Sequence, residues 1–549
     1  DNELGYRAIR ITGDTTITQG DLTELFTQFL NKGHWADYLV GGAPVKVGIN
    51  IPIDKNTDKE LTLNVSSTLN GMAVRMPLPA AKPATGERAL DVEMQLSGAE
   101  RLLRVNYGDS HVLLQFRSVG RALHIQRGAL SMQSEPKLPT ENAIHFTGRT
   151  NYLSWPEWTA VLFPAAPKIP LIGESGGPHL TLYFNARIDT LDAYGNRFQN
   201  VSLQASEAAQ GYSLHINSDQ VSGNLFIPEY IANTPLVIDM DKLYWSTTGE
   251  GGEATGHLDP HELPAMRISA KAFRVDNIAL GSLELNAERV EQGLRLSKLS
   301  IQNPITQINA TGTWLGQYNR QNSRFSIDTK TKDVGKMLEG FHYTGGIRGG
   351  TGQFAISAGW LGSPFDFSLE KLDGSIKMLI DDGRLLEIDP GAARMFGLLS
   401  FQALPRRFTL DFSDMFAKGM TFDHIVGEFS LTNGDAYTNN FIMDSPSSII
   451  KMAGRVGLTR RDYDQDITFV PHVGASVPII GTALTGPTIG AVLLVLQQLL
   501  EKQIQAVSTV HYKITGPWDN PVINKISKDR ARSNFALPAS PPSTFPASP

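Results

Sequence analysis

Three short segments of the chain carry residue types that could do chemistry. Gly173–Pro178 has the sequence GESGGP and places Ser175 in a GxSxG pattern, which presents the nucleophile in many serine hydrolases. His257–Pro264, with the sequence HLDPHELP, offers two histidines and two acids as metal ligands. Gly345–Gly352, with the sequence GGIRGGTG, is glycine-rich like a phosphate-binding loop. Each pattern needs a structural context before it predicts a function.

The sequence does not supply that context for any of the three segments. A nucleophilic serine needs a positioned histidine and an acid, and a hydrolase serine lies between a strand and a helix. Ser175 is instead followed by a segment with the pattern of a strand. The histidine segment contains two prolines and has a turn composition, and the glycine segment lacks the Lys-Ser/Thr of a phosphate loop. We therefore predict loops, with no catalytic residue, metal site or cofactor.

The composition narrows the class of protein. The chain has 549 residues, of which 41% are hydrophobic and 19% charged, a composition typical of a folded protein. The net charge is −6 and there is no basic run, so nucleic acid is not an expected partner. The absence of cysteine excludes disulfides and thiolate metal sites. The chain begins at Asp1 without an initiator methionine or a signal peptide, so we expect a processed form or a fragment.

Most of the sequence alternates apolar and polar residues, which predicts strands with one apolar face. In HLTLYFNARIDT, such a face contains Leu180, Leu182, Phe184 and Ile188. The same alternation groups Leu61, Leu63 and Val65; Val92, Met94 and Leu96; Leu283, Leu285 and Ala287; Phe365, Phe367 and Leu369; and Phe408, Leu410 and Phe412. Turn signals such as AYGNR and TNGD separate these segments, and we predict about 25 strands.

One strand pair is repeated at long range. Pro304 and Pro446 are each followed by isoleucine four residues on and by glycine eight residues on. At the same offset, Arg324–Asp328 aligns with Asp466–Val470. This self-similarity indicates a repetitive β architecture.

Helices are predicted at three places. Apolar residues at helical spacing predict one near 21–32. Asp389 as N-cap and Pro390 at the first helical position predict a second. The third and longest helix runs from about Pro487 to Ser508. Residues 527–549 are rich in Pro, Ser and Ala, and we predict that they are disordered.

The segment from Val473 to Leu500 carries no charged residue and leaves three alternatives open. It can be a helical hairpin packed over the end of a sheet, an apolar hairpin that contacts a membrane, or a membrane span. Two prolines, several glycines and two glutamines argue against the span. The residues predicted to contact a membrane are Ile479, Ile480, Leu484, Leu493, Leu494, Leu496 and Leu500.

One-sided strands must bury their apolar face against something. Two sheets of a sandwich do this, and so do the successive turns of a solenoid. In a third arrangement, a ligand covers the inner face of a long curled sheet. The alternation alone does not separate these architectures. The lack of self-contained blocks of about 100 residues favours one continuous sheet.

Several segments resemble a known family. Leu386–Pro471 resembles the C-terminal region of AsmA-like proteins in its Asp-Pro-Gly, Leu-Pro-Arg-Arg, Gly-Asp-Ala and Gly-Arg-Val motifs. Val65–Glu87 resembles a segment of the YhdP-type subgroup, and His511–Ile523 is similar to the closing strand of that subgroup. The motifs occur in the expected order over most of Asp1–Ile526.

The resemblance implies a bridge-like lipid transfer protein of the Gram-negative periplasm. In such a protein a long, curled, antiparallel-type β-sheet forms an apolar groove that carries phospholipids between inner and outer membrane. An N-terminal helix outside this chain would anchor the protein in the inner membrane. The implied parts are an N-terminal groove over 1–170, a C-terminal groove over 171–472, the hairpin and closing strand over 473–526, and the tail.

The residues expected to line the groove are inward-facing apolar residues of the predicted strands. They are Leu180, Leu182, Phe184, Ile188, Leu203, Leu283, Leu285, Phe365, Phe367, Leu369, Ile376, Met378, Phe408, Leu410 and Phe412. An ordinary β-core has the same pattern, so core packing is the alternative for each of them. The alternative functions are an envelope scaffold of stacked β-domains without lipid and a hydrolase that uses Ser175.

Overall fold

The structure, a computed structural model, describes most of the chain. The described residues are 8–30, 37–53, 60–119, 122–162, 180–230, 234–247, 259–261, 263–316, 321–343, 346–386, 420–472, 489–490, 492–494, 496–497 and 509–526. The chain divides into two compact units, Asp1–Gly256 (unit 1) and His257–Pro549 (unit 2). The described residues contain 27 strands and few helices, so the predicted mainly β fold class is confirmed. The finer boundaries predicted near 170, 472 and 526 stay predictions.

Unit 1 is a sheet of mostly antiparallel strands. Its strands are β1 (Ala8–Thr18), β2 (Leu39–Pro52), β3 (Thr62–Ser67), β4 (Met72–Val74), β5 (Leu90–Gln95), β6 (Glu100–Tyr107), β7 (Ser110–Val119), β8 (Ala122–Met132), β9 (Ala143–Ser154), β10 (Thr181–Ala193), β11 (Asn196–Ala208), β12 (Gly211–Asn217), β13 (Val221–Pro228) and β14 (Leu236–Trp245). Its helices are α1 (Gln19–Leu30), which confirms the helix predicted near 21–32, and α2 (Trp155–Leu162).

The strands of unit 1 pair largely in chain order. β2 pairs with β1, β3 and the short β4, and β3 pairs with β5. From β5 onward each strand pairs with the next, and β9 is parallel to both of its neighbours, β8 and β10. Parallel neighbours need a crossover connection, and α2 lies in the connection from β9 to β10.

Unit 2 is antiparallel throughout its described pairings. Its strands are β15 (Met266–Val275), β16 (Ile278–Val290), β17 (Gly293–Gln302), β18 (Thr306–Leu315), β19 (Asn322–Thr331), β20 (Ile347–Leu361), β21 (Asp373–Leu385), β22 (Met420–Thr432), β23 (Asp435–Ser445), β24 (Ser448–Gly457), β25 (Asp462–Pro471), β26 (Val510–Pro517) and β27 (Val522–Ile526). Each pairs with the next in chain order. Helix α3 (Val334–Gly340) follows β19, and its N-cap Asp333 accepts a hydrogen bond from the Lys336 backbone N–H at 3.0 Å.

The repeated strand pair is a repeated hairpin. Pro304 lies in the turn between β17 and β18, and Pro446 lies in the turn between β23 and β24. The strand that follows each hairpin completes the repeat, because Arg324–Asp328 belongs to β19 and Asp466–Val470 to β25. The similarity in sequence therefore reflects three consecutive strands with the same layout.

The glycines of the two hairpins mark equivalent bulges. The register of each hairpin shifts next to the glycine, Gly312 in the first and Gly454 in the second. A Cβ atom on these glycines would lie 2.4 Å from the Arg324 backbone oxygen and 2.3 Å from the Asp464 backbone oxygen. The close approach of the next strand therefore requires glycine at both positions.

One predicted strand is wrong. The alternation of Phe365, Phe367 and Leu369 predicts a strand, but these residues lie in the loop between β20 and β21. The loop contains two short 3-10 turns, Pro364–Asp366 and Leu369–Lys371, with Phe367 between them. Local hydrogen bonding explains the difference, because residues 363 and 366 form a reciprocal capping box and proline follows the cap. These bonds favour a turn over a ladder, whatever the hydrophobic pattern.

Candidate functional site

A row of apolar side chains crosses unit 1, each residue paired across the ladder with the next. We call it the unit 1 row. In spatial order it consists of Val47, Val65, Val92, Val105, Val112, Leu130, Phe146, Phe184, Ala205, Leu214, Leu225 and Ile238. At about 4.8 Å between strands, a row of this kind makes a continuous apolar track of roughly 50 Å.

All twelve side chains of the unit 1 row are partly buried. The two aromatic members, Phe146 and Phe184, stack with ring centroids 5.5 Å apart. A sandwich core would bury such a row completely, since facing sheets interdigitate at crystal-like density. The unit 1 row is therefore an apolar surface that the described part of the protein leaves partly uncovered.

The opposite face of unit 1 is polar. Arg149 donates to Asp189 at 2.8 Å across the β9–β10 pair, and both side chains are exposed. Arg104 lies directly opposite Glu93 on β5 and β6. Alternation thus gives the sheet one face that suits water and one that suits hydrocarbon.

Unit 2 carries a corresponding row over its first eight strands, which we call the unit 2 row. It consists of Ile268, Leu285, Leu299, Ala310, Ile327, Ile356, Ile376 and Phe429. The face behind it carries ion pairs, between Glu284 and Lys298 and, at 3.3 Å, between Lys377 and Glu428. The two units therefore share one design, an apolar face backed by a charged one.

The apolar face of unit 2 changes character along the sheet. From β15 to β21 every member of the unit 2 row is partly buried except the small Ala310. From β22 to β24, Ile425, Phe441, Met443 and Ile450 are fully buried within one hydrophobic cluster. The filled core already includes Trp360 of β20 and Ile380 of β21, and Ile356 and Ile376 pack against it, whereas the row from β15 to β19 is only partly buried apart from Ala310.

Eight of the predicted lining residues lie on strands, and all eight share these apolar faces. They are Leu182, Phe184, Ile188, Leu203, Leu283, Leu285, Ile376 and Met378. Ile188, Leu283 and Met378 are buried and the other five partly buried. Leu180 directly precedes β10. Contact with lipid stays a prediction for each of these residues.

The other predicted lining residues are placed differently. Phe365, Phe367 and Leu369 lie in the loop described above, and Phe365 is 67% exposed. The ring of Phe365 contacts Trp314 edge-on, and the ring of Phe367 contacts Trp360 in the same way. The loop therefore packs on the last residues of β18 and β20. The remaining three, Phe408, Leu410 and Phe412, lie outside the described residues, as does the helix predicted at Asp389.

Sequence reasoning did not select the first half of the unit 1 row. The residues from Val47 to Phe146 were not among the predicted lining residues, although Val65 and Val92 lie in segments with clear alternation. These segments show the alternation of apolar and polar residues that indicates a one-sided strand. Joining them into one row requires the pairing register, which alternation within single strands does not provide.

The predicted hairpin is described only in part. Residues 489–490, 492–494 and 496–497 are helical, and we call them the C-terminal helical segment. Val492 and Leu496 are each 1% exposed. They are buried with Leu379, Val426, Ile442, Ile449 and Val470. These strand residues alternate with those of the filled core, so the C-terminal helical segment covers the outer face of β21–β25.

This packing separates the predicted membrane-contacting residues. Leu496 is buried against the sheet and Leu493 packs beside it, whereas Leu494 is 62% exposed. Ile479, Ile480, Leu484 and Leu500 lie outside the described residues. Among the described residues, no helix is both long and apolar enough to cross a membrane.

Titratable side chains lie beside the C-terminal helical segment on the same outer face. His424 Nδ1 is 2.7 Å from Asp381 Oδ1, and His472 Nε2 is 3.3 Å from Asp444 Oδ1. The hydrogen bond to Asp381 raises the pKa of His424 above its usual range, although burial opposes the shift. Burial raises the pKa of the Asp444 carboxyl, and His472 opposes that shift.

The motifs that could do chemistry lie only partly within the described residues. Ser175 and His257 lie outside the described residues. In the described part of that second segment, His261 Nδ1 contacts Asp259 Oδ1 at 2.9 Å. Within the described ranges, no group of three or more His, Cys, Asp or Glu side chains could hold a metal ion. Ile347–Gly352, from the glycine-rich segment, forms the start of β20.

The fold and the two rows define a class of protein, a β-sheet protein whose candidate site is an extended apolar face. The chain matches the family model described as "YhdP protein" over residues 6–523 and so belongs to the YhdP family. This confirms the AsmA-like, YhdP-type resemblance of the sequence. No solved structure matches the chain.

A curated relative supports the same assignment. The chain is similar to the intermembrane phospholipid transporter YhdP of Escherichia coli (strain K12), with 24% identity over 497 residues. The matched region covers 88% of this chain and 38% of that protein. The chain therefore spans well under half the length of this relative.

The first prediction concerns the packing of the C-terminal helical segment on the outer face of β21–β25. Leu496→Ala should release the segment, because truncating a fully buried leucine typically costs about 2–5 kcal/mol. Leu494→Ala should stay within about 0.5 kcal/mol of wild type, since Leu494 is exposed. Hydrogen exchange of residues 489–497 measures both effects. Equal protection in the two variants would contradict this packing.

The second prediction concerns pH. A raised pKa for His424 in the folded state gives a stabilisation that is fully present below the unfolded value of about 6.5. This stabilisation is lost as the pH rises through the folded value. The unfolding temperature should therefore fall between about pH 6 and pH 8, and His424→Asn should reduce that fall. The raised pKa of Asp444 likewise gives a stabilisation that is lost as the pH rises, but in a more acidic range.

Scanning calorimetry at several pH values tests the pH prediction. His111→Asn is a matched control, because the hydrogen-bond partner of His111 is the uncharged Asn106, at 2.8 Å. An identical pH dependence in wild type and His424→Asn would rule out the proposed role of the His424–Asp381 pair.

Proposed function

We propose that this chain is a segment of a bridge-like lipid carrier that holds phospholipid acyl chains against the apolar faces of its sheets. The observation that carries the proposal is the unit 1 row, which places an apolar, partly buried side chain on each of twelve strands joined by eleven consecutive pairings. The name of the Escherichia coli relative, an intermembrane phospholipid transporter, supports the same function.

The energetics favour a continuous row. Moving acyl chains from a membrane into water costs about 0.8 kcal/mol for each CH₂ group. A lipid that passes from one apolar side chain to the next keeps its chains out of water at every step. Valine, leucine, isoleucine, phenylalanine and alanine side chains also offer no hydrogen bond that would hold a lipid in one place, so movement along the row needs no covalent step and no energy-rich cofactor.

The filled core and the C-terminal helical segment indicate that strands β22–β25 have a role other than carrying acyl chains. Acyl chains have no room among the fully buried side chains of β22–β25, so the groove would end there. The exposed Leu494 at this end is a candidate for contact with a membrane. We propose that the chain acts in the periplasm between the two membranes, with an inner-membrane anchor elsewhere in the full-length protein.

The third prediction tests this function with matched pairs of charge substitutions. Phe184→Asp and Leu285→Asp place a carboxylate on the apolar face. Asn185→Asp and Asn286→Asp place the same carboxylate on the neighbouring residue, which points to the polar face. Phospholipid that copurifies from a Gram-negative host should fall several-fold in the first pair and stay at wild-type level in the second. Native mass spectrometry with lipid extraction measures it.

The outcomes separate the proposal from the scaffold alternative. Several phospholipids on the wild-type chain, lost only in Phe184→Asp and Leu285→Asp, would support the carrier. A folded wild-type chain with a lipid-free mass would favour a scaffold of stacked β-domains. Circular dichroism checks that each variant keeps its sheet, so that loss of lipid is not loss of fold.

A further inference from the structure

An arginine lies on the apolar face of unit 1. In β6, Arg101 is two residues from Leu103 and four from Val105, a member of the unit 1 row, so alternation places all three on one face. Across the ladder Arg101 pairs with Phe116, which is two residues from Leu114 on the same face of β7. Leu103 and Leu114 also pair with each other. Arg101 therefore lies at the margin of the apolar face.

The neighbouring arginines lie on the polar face next to acidic residues. Arg104 is opposite Glu93, and Arg117 contacts Glu100 at 3.2 Å. Arg101 differs from both, because its Nε atom is buried and has no hydrogen-bond partner among the described residues. Removing a guanidinium N–H from water without a partner is costly, which indicates a ligand with an acceptor at this position.

A second buried polar atom lies two strands away. The pairing of β7 with β8 shifts between Gln115 and Phe116, which makes Gln126 the extra residue of a β-bulge. Gln126 Oε1 is buried and, among the described residues, it also lacks a hydrogen-bond partner. Bulges re-aim side chains and are enriched beside functional sites. This part of the sheet therefore contains a buried donor, Arg101 Nε, and a buried acceptor, Gln126 Oε1, without a hydrogen-bond partner among the described residues.

We propose that Arg101 binds the phosphate of a glycerophospholipid whose acyl chains lie on the unit 1 row. The guanidinium fork matches the geometry of a phosphate, and a charge-assisted bond is strong beside an apolar surface. This inference rests on the proposed function, and it adds a position where the passing lipid is recognised by its phosphate.

The fourth prediction compares two lipids with the same acyl chains. The delipidated full chain is titrated with fluorescent dioleoylphosphatidylethanolamine and with fluorescent dioleoylglycerol, which lacks the phosphate. Wild type should bind the phospholipid about tenfold more tightly, as expected for a hydrogen bond to a charged group. Arg101→Gln should lose this preference and keep its affinity for dioleoylglycerol. Arg101→Lys should keep part of the preference, because it retains the charge without the fork.

Controls and contrary outcomes are specific to this site. Arg117→Gln, on the polar face of the adjacent strand, should keep the full preference. An unchanged preference in Arg101→Gln would overturn the inference and leave the carrier function standing. Loss of both lipids in a folded Arg101→Gln would show that Arg101 only supports the face, which also overturns it. Binding of inorganic phosphate that depends on Arg101 but does not compete with the lipid would mean a free-anion site instead.

A wild-type chain that binds neither lipid would overturn both the inference and the proposed function. The two failures are therefore distinguishable, since binding of dioleoylglycerol reports on the apolar row and the difference between the two lipids reports on Arg101.

Discussion

The pairing register of the strands is the constraint on which the rest of the structure depends. Side chains alternate strictly along a strand, so a slip of one residue would turn its whole apolar set towards water. Where the two strands of a hairpin would fall out of phase, a bulge restores the register, and Gly312 and Gly454 admit the next strand at these points. The two apolar rows exist because bulges of this kind keep the pairing register aligned from strand to strand.

The same alternation produces both an open face and a core. In unit 1 and in the first strands of unit 2, the apolar side chains are mostly only partly buried, which suits a face covered by a mobile ligand. Around Phe441 and Ile450 the side chains fill the space completely. The outer face beside this core also departs from the polar pattern, because Val426 and Ile442 bind the C-terminal helical segment there. That end is therefore closed.

Much of the fold could be predicted from the sequence, because alternation, turn residues and the long-range repeat are local signals. The residues of β10 and β16 that share the apolar faces were predicted from this alternation, and their contact with lipid stays a prediction. The turn around Phe365 was missed because its capping bonds outweigh its hydrophobic pattern. Arg101 was missed for another reason. It precedes two adjacent leucines, Leu102 and Leu103, which interrupt the alternation. The face on which Arg101 lies can therefore be assigned only when its pairing with the next strand is known.

Photo-crosslinking along one strand tests whether lipid lies on the apolar face of the sheet. Benzoylphenylalanine is introduced in turn at positions 182 to 187 of β10, and the cells are irradiated before purification. We predict phospholipid adducts at Leu182, Phe184 and Ala186 and none above background at Tyr183, Asn185 and Arg187. This period of two would show that lipid covers one face of the sheet. Adducts at every position, or at none, would contradict an apolar face occupied by lipid.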